Sequence, residues 1–279
     1  MIDIIREMIR ADVGFEDITT EALIDRGTRV VADIVSREEG VVAGVDVAEM
    51  MAREFSISLI RWKDDGDPIS GGERVLTLEG DARDILMVER TMLNLMMKMS
   101  GIATLTRSML QRARAVNDGI RIAATRKTTP GLQWFEKQAV RIGGGDTHRF
   151  RLDDCAMIKD NHIAIVGNIE DAVRRVRDHV SFTKKVEVEV ERPGDALLAA
   201  DAGADIILLD NMNPVDVRKA LEELESAGLR DRVIVEASGG IKPENVDKYA
   251  STGVDVISMG FITTSAHPVD LSLEIRELK

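Results

Sequence analysis

The sequence predicts an α/β protein in two parts, a small sheet with helices over residues 1–110 and a parallel α/β region over residues 111–279. Two observations predict it. The hydrophobic period changes near residue 110, from short alternating runs to a regular succession of β-branched runs and helical segments. The chain also has 279 residues, 44% of them hydrophobic, which is long enough for one large or two ordinary domains with a well-buried core.

The first region opens on a short amphipathic helix carrying Ile2, Ile5, Met8 and Ile9. Apolar runs then start at Val30 (VVADIVSR), Val41 (VVAG), Ile57 (ISLIRW) and Arg74 (RVLTLEG), and read as strands of a small sheet. A long helix is expected from Asp81, with Ile85, Val88, Met92, Leu95 and Met99 on its apolar face and a break near Ser100-Gly101. Its methionines read as core filler.

From about Ile120 the strand-like runs are RIAATR, AMIKD, VEVEVE, DIILLD, VIVEAS and VDVISMG. Helical segments lie between them, among them NIEDAVRRVRDHV, PGDALLAADAGA, PVDVRKALEELESAG and PENVDKYASTG, several opening on Pro or Asn and closing on Gly. Such units have the size of a βα step in a barrel or a doubly wound sheet. A C-terminal helix is expected to pack back on the N-terminal region. No sequence repeat recurs, which argues against a solenoid.

Composition excludes several functions. The single cysteine, Cys155, cannot form an intramolecular disulfide, and MIDIIREMIRAD lacks the basic flank and apolar run of a secretory signal, so a cytoplasmic protein is expected. No run approaches the roughly 20 apolar residues that span a bilayer. Lys and Arg number 37 against 49 Asp and Glu, a net charge of −12, which argues against nucleic acid as a partner. At 3%, aromatics for stacking on bases are scarce.

Each strand of the second region ends in polar or glycine residues: Arg126-Lys127, Lys159-Asp160, Glu189 and Glu191, Asp210-Asn211, Ser238-Gly239-Gly240 and Gly260. In a parallel α/β sheet these ends converge on one mouth, where active sites lie. Solvated strand ends are the plain alternative for any one residue, but a poor account of the whole set. Between residues 126 and 159, seven Lys or Arg (126, 127, 137, 141, 149, 151, 159) outnumber four acids (136, 146, 153, 154). A cationic pocket on an acidic body suits a small polyanion. Arg126 and Arg149 could clamp a carboxylate or phosphate in bidentate fashion, and Lys127 and Lys159 offer point charges. Lys137 and Arg141 are expected on a solvated helix face.

In VEVEVE the valines share one face and Glu187, Glu189 and Glu191 the other. Carboxylates in a central strand need a partner, so Glu189 with Asp210 could hold Mg²⁺ through waters, or could form salt bridges to the basic cluster. Both readings stand. Ser238-Gly239-Gly240 and Gly260 could present backbone N–H groups to phosphate, or serve only as tight turns. Gly143-Gly144-Gly145 reads as a flexible loop. His148, beside Arg149, suits anion binding, whereas His162 reads as a buried, hydrogen-bonded histidine and Cys155 as core. Zinc spacing, the nucleophile elbow, the P-loop pattern and a Cys–His pair are all missing from the sequence.

The strings ERTMLNLMMKMSGIATLT, TRKTTPGL, EKQAVRIGGGDTHR, MIKDNH, VEVEVE, GADIILLDNM, EASGGI and GVDVISMG, in this order, closely resemble the quinolinate phosphoribosyltransferase family. The resemblance implies an N-terminal α/β sandwich domain (1–110, including the start of the long helix) and a C-terminal incomplete (β/α) barrel with parallel strands (111–279). It implies a homodimer or higher homo-oligomer with shared active sites. The implied reaction joins quinolinate and phosphoribosyl pyrophosphate, with Mg²⁺, to give nicotinate mononucleotide, pyrophosphate and CO₂ in NAD biosynthesis. By the same resemblance Arg126, His148, Arg149 and Lys159 surround the quinolinate carboxylates, with Arg90 reaching in from the neighbouring subunit. Lys127 lies where the substrates meet, Glu189 and Asp210 face the ribose and metal, and Ser238, Gly239 and Gly260 take the phosphates.

Two positions depart from the family pattern: Thr147 stands where Asn is common before the His-Arg pair, and Thr264 where a His is common. The second puts a phosphate contact at that loop in doubt. A related group encoded with molybdenum-uptake systems shares the TRKT and GGG patterns but lacks KDNH, and is the alternative reading. A barrel that only binds nucleotides is a third.

Overall fold

β-Branched and leucine-rich runs build the first sheet of the computed structural model, which describes residues 2–279. Its strands are β1 (Arg29–Ser36), β3 (Ser58–Arg61) and β5 (Arg74–Asp81), while β2 (Gly40–Val41) and β4 (Pro68–Ile69) form a separate two-residue ribbon. β5 pairs antiparallel with β1 and β3. These strands belong to a first unit comprising residues 1–105, 141–143 and 266–279.

The C-terminal segment corrects the expected helix: Leu271–Leu278 is a strand that pairs antiparallel with β1, from Ser36↔Leu271 to Val30↔Leu278. Leu271, Leu273 and Ile275 recur every second residue, a strand period, and β1 offers an unpaired edge for them. The long helix also differs from expectation. It runs without a break from Ala82 to Arg114. Ser100 is buried inside it, accepting from Ala43 N (2.9 Å) and donating to Ala43 O (3.2 Å). A Cβ on Gly101 would lie 2.0 Å from His267 O, so glycine lets the 267–268 backbone approach the helix; it does not end it.

The second unit, residues 106–140 and 144–265, contains all six expected strands: β6 (Arg121–Ala123), β7 (Ala156–Ile158), β8 (Val186–Val190), β9 (Ile206–Asp210), β10 (Ile234–Ser238) and β11 (Val256–Ser258). They form one parallel sheet in the order β6-β11-β10-β9-β8-β7. β6 and β7, consecutive in the chain, sit at opposite edges, so the barrel is incomplete. On the free edge of β6 lies Asp146, whose N–H donates to Ile122 O (2.8 Å) and whose carbonyl accepts from Ala124 N (2.8 Å). The expected flexible glycine loop is therefore packed: a Cβ on Gly145 would lie 2.7 Å from Thr106 and 3.0 Å from Ile122 O.

Helices follow the strands: Asp160–Val166 and Ile169–His179 after β7, Pro193–Asp201 after β8, Pro214–Ser226 after β9, Val246–Ala250 after β10 and Phe261–Thr264 after β11. Proline opens Pro193–Asp201 and Pro214–Ser226, and the Asn168 and Asn213 side chains accept from first-turn amides of Ile169–His179 and Pro214–Ser226 respectively. Val188, Ile207, Leu209, Val235, Ala237 and Ile257 form the buried core of this sheet. Among the described residues no helix is long and apolar enough to cross a membrane.

Candidate active site

The carboxyl ends of the parallel strands open on a cavity of about 370 Å³. Arg126 and Lys127 reach it from the chain after β6, His148 and Arg149 from the segment beside β6, and Lys159 from the end of β7. Glu189 of β8, Asp210 closing β9, and Glu236 and Ser238 of β10 complete its polar wall. A second cavity of about 280 Å³ shares Lys127 and Ser238 and is also lined by Gly239 and Gly260. Most of the residues selected from the barrel strand ends are thus brought together, whereas Asp160, Glu191 and Asn211 line neither cavity. Arg90 is not among the lining residues; it lies on the long helix of the first unit with its side chain 61% exposed.

Opposite charges meet inside the main cavity. Lys159 donates to the Glu189 carboxylate. Asp210 is held above the usual carboxylate range, first by burial and then by the negative charge of Glu189. It accepts from Asn211 Nδ2 at 2.7 Å. Asn211 has φ +54°, and Gly239, at φ +90°, lies against it: a Cβ there would approach Asn211 Oδ1 to 2.3 Å. Gly260 similarly admits the Lys127 side chain, whose Cδ would be 2.9 Å from an added Cβ. Thr264 lines the second cavity and donates to Gly260 O at 3.0 Å.

Two buried carboxylates sit beside His148. Its Nε2 lies 3.2 Å from Glu236 Oε2 and 3.6 Å from Glu187 Oε1, and its Nδ1 accepts from Arg149 N at 2.7 Å. Burial opposes charge on the ring, while the two carboxylates raise its proton affinity above that of an ordinary imidazole. Burial also pushes Glu187 up. With the Arg149 N–H directed at Nδ1, that nitrogen is the acceptor and the ring proton lies on Nε2, facing the carboxylates.

Sequence reasoning placed Glu187 on the right face but gave it no role, and passed over Glu236. The period of two from Ser238 would have found Glu236. Lys137 is a correction: it is fully buried rather than on a solvated face, donating to Thr147 O (2.7 Å) and to Arg149 O, with its ammonium 5.0 Å from the Phe150 ring centre. These partners are ten or more residues away, beyond the reach of helical spacing. Arg141 is exposed as expected. His162 is hydrogen-bonded as expected, through Lys159 N to its Nδ1 (2.9 Å), but it is exposed, serving the first turn of its helix. Cys155 is only half-buried, and burial pushes its thiol up to about 11.

Residues 17–100 match the family model for the quinolinate phosphoribosyl transferase N-terminal domain, and residues 102–274 that for the C-terminal domain. The chain is 90% identical over its full length, and the full length of the relative, to a probable carboxylating nicotinate-nucleotide pyrophosphorylase of Methanothermobacter thermautotrophicus. It is 36% identical to the human carboxylating nicotinate-nucleotide pyrophosphorylase, over 88% of this chain and 82% of that one. The solved nicotinate-nucleotide pyrophosphorylase of Francisella tularensis superposes with a TM-score of 0.90 at 34% identity, covering 98% of this chain and 95% of its own.

Proposed function

The chain belongs to the quinolinate phosphoribosyltransferase family, and from that premise we propose how its own residues carry the reaction. The enzyme transfers a phosphoribosyl group from phosphoribosyl pyrophosphate to quinolinate with decarboxylation, giving nicotinate mononucleotide, pyrophosphate and CO₂ for NAD biosynthesis. One observation supports our assignment of roles: a single cavity sets Arg126, Arg149 and Lys159 against Glu189 and Asp210.

In this reading the cationic wall takes the two carboxylates of quinolinate, with Arg126 and Arg149 as planar forks and Lys159 as a point charge. Lys127, shared by both cavities, stands where the substrates meet. Ser238, Gly239 and Gly260 receive phosphate oxygens in the second cavity. The ring nitrogen attacks the anomeric carbon as pyrophosphate leaves. Positive charge develops on the ribose, and Glu189 and Asp210 stabilise it. The alkylated ring is then a pyridinium whose positive nitrogen stabilises the in-plane electron pair left on the adjacent carbon when its carboxylate departs as CO₂, and that carbon takes up a proton. No organic electron-sink cofactor is required.

Glu189 and Asp210 fit Mg²⁺: two carboxylates share a partly desolvated wall, and the charge of one raises the proton affinity of the other. A bound ion there would supply charge stabilisation for the departing pyrophosphate. We further propose a cytoplasmic homodimer in which Arg90 completes the partner's site. The assay is direct: purified protein with quinolinate, phosphoribosyl pyrophosphate and Mg²⁺ is expected to release nicotinate mononucleotide, pyrophosphate and CO₂ in equal amounts. Absence of all three products would overturn the reading.

A further inference from the structure

Glu187 and Glu236 lie almost wholly out of solvent, at 0% and 3% exposure, beside the cavity. Both Glu187 oxygens and Glu236 Oε1 have no hydrogen-bond partner, which is costly unless the carboxyls do something the fold needs. Both lie close to His148 Nε2. His148 in turn is held in an uncommon conformation, φ +50°, with its own N–H donating to Asp146 Oδ1 at 2.7 Å.

Two roles are open to such a trio, and the ring decides between them. The nitrogen and two carboxylates are close enough to hold a divalent cation. A metal on Nε2 would require the ring proton on Nδ1, donating outward, as metal-bound histidines do. Nδ1 instead accepts from Arg149 N. The proton is therefore on Nε2, pointing at the carboxylates, and the trio is a chain of donors and acceptors that ends on Arg149. The Arg149 guanidinium is fixed from its far side, donating to Cys155 O (3.1 Å) and Met157 Sδ (3.0 Å).

We infer that Glu236, backed by Glu187, is a positioning residue for the substrate dicarboxylate: it orients His148, which through Nδ1 holds the backbone from which Arg149 reaches into the cavity. His148 lines the cavity itself, and through this contact it also acts on Arg149. The inference rests on the reading that this cavity binds quinolinate.

A double-mutant cycle on Glu236 and His148 tests it. Glu236→Leu and His148→Ala are each expected to raise KM for quinolinate by about tenfold or more, with kcat and KM for phosphoribosyl pyrophosphate moving by less than about threefold. The double variant should be no worse than His148→Ala alone, because one chain is cut in either case. Glu236→Gln keeps an acceptor oxygen at the same reach and should restore most of the quinolinate affinity. Single effects that multiply in the double variant, or a glutamine as damaging as leucine, would overturn the inference. Nitrogen NMR of histidine-labelled protein reads the tautomer without any substitution, and a His148 proton on Nδ1 would overturn it equally. Failure of the wild-type protein to use quinolinate would instead remove the reading on which it rests.

Discussion

Lys159 and Glu189 are bound to each other across the cavity, so a cation assigned to quinolinate and a carboxylate assigned to the ribose and metal neutralise one another in the substrate-free chain. Substrate binding must part this pair or share it. The pair is open on one side, with the Lys159 side chain 41% exposed, so its contribution to stability is expected to be below about 1 kcal/mol. Glu189→Gln and Asp210→Asn should therefore melt near the wild-type temperature and still bind quinolinate. Turnover should fall by a factor on the order of 10² or more, the scale of one preorganised electrostatic contact in a transition state. Thermal melts run beside single-turnover kinetics check this; variants that melt early yet react normally when folded would defeat the catalytic assignment.

Nicotinate carries one carboxylate where Arg126, Arg149 and Lys159 are arranged for two. Binding it would leave a desolvated cation without a partner. Its kcat/KM is expected to be lower than that of quinolinate by about 10² or more. Parallel initial-rate measurements with the two acids decide the matter, and comparable values would mean that the cationic wall is not reading the second carboxylate.

Most of the barrel was legible in the sequence because each βα unit writes its own signal: β-branched runs, Pro or Asn at helix starts, polar strand ends. The same parity rule placed Glu187 and Glu189 on one face. What local pattern could not show were features decided by distant chain. Ser100-Gly101 looks like a helix end until the 267–268 backbone packs on it. Leu271–Leu278 is a strand because β1 has a free edge. Lys137 sits on an apparently amphipathic helix and is buried because the carbonyls of Thr147 and Arg149 converge on it.

Arg90 gives the proposed dimer its sharpest consequence, since it stands far along the chain from the barrel residues and outside both cavity linings. Arg90→Ala and Lys159→Ala proteins should each be nearly inactive. Mixed under conditions of subunit exchange, they should recover part of the activity, because a heterodimer contains one site with both residues intact. Exchange verified by mass spectrometry with no recovery would assign Arg90 to its own chain or to no site.

Lys137 couples stability to the site. Burial pushes it down to about 8, and the positive charges of Arg126 and Arg149 press in the same direction, against an ordinary value of 10.5. Between those two pH values the unfolded chain holds a proton that the folded chain has released. Stability from this group therefore rises as pH climbs through the window, and the burial penalty is fully present below it. Lys137→Met removes the titration and leaves the Thr147 and Arg149 carbonyls without their donor, at a cost of about 1–3 kcal/mol. The variant should be the less stable protein at neutral pH, and its deficit should widen from pH 8 to 10.5 in denaturant titrations. KM for quinolinate should rise in the same variant, because the backbone carrying Arg149 loses an anchor. A deficit that stays flat across that window would show that Lys137 titrates as an ordinary lysine despite its burial.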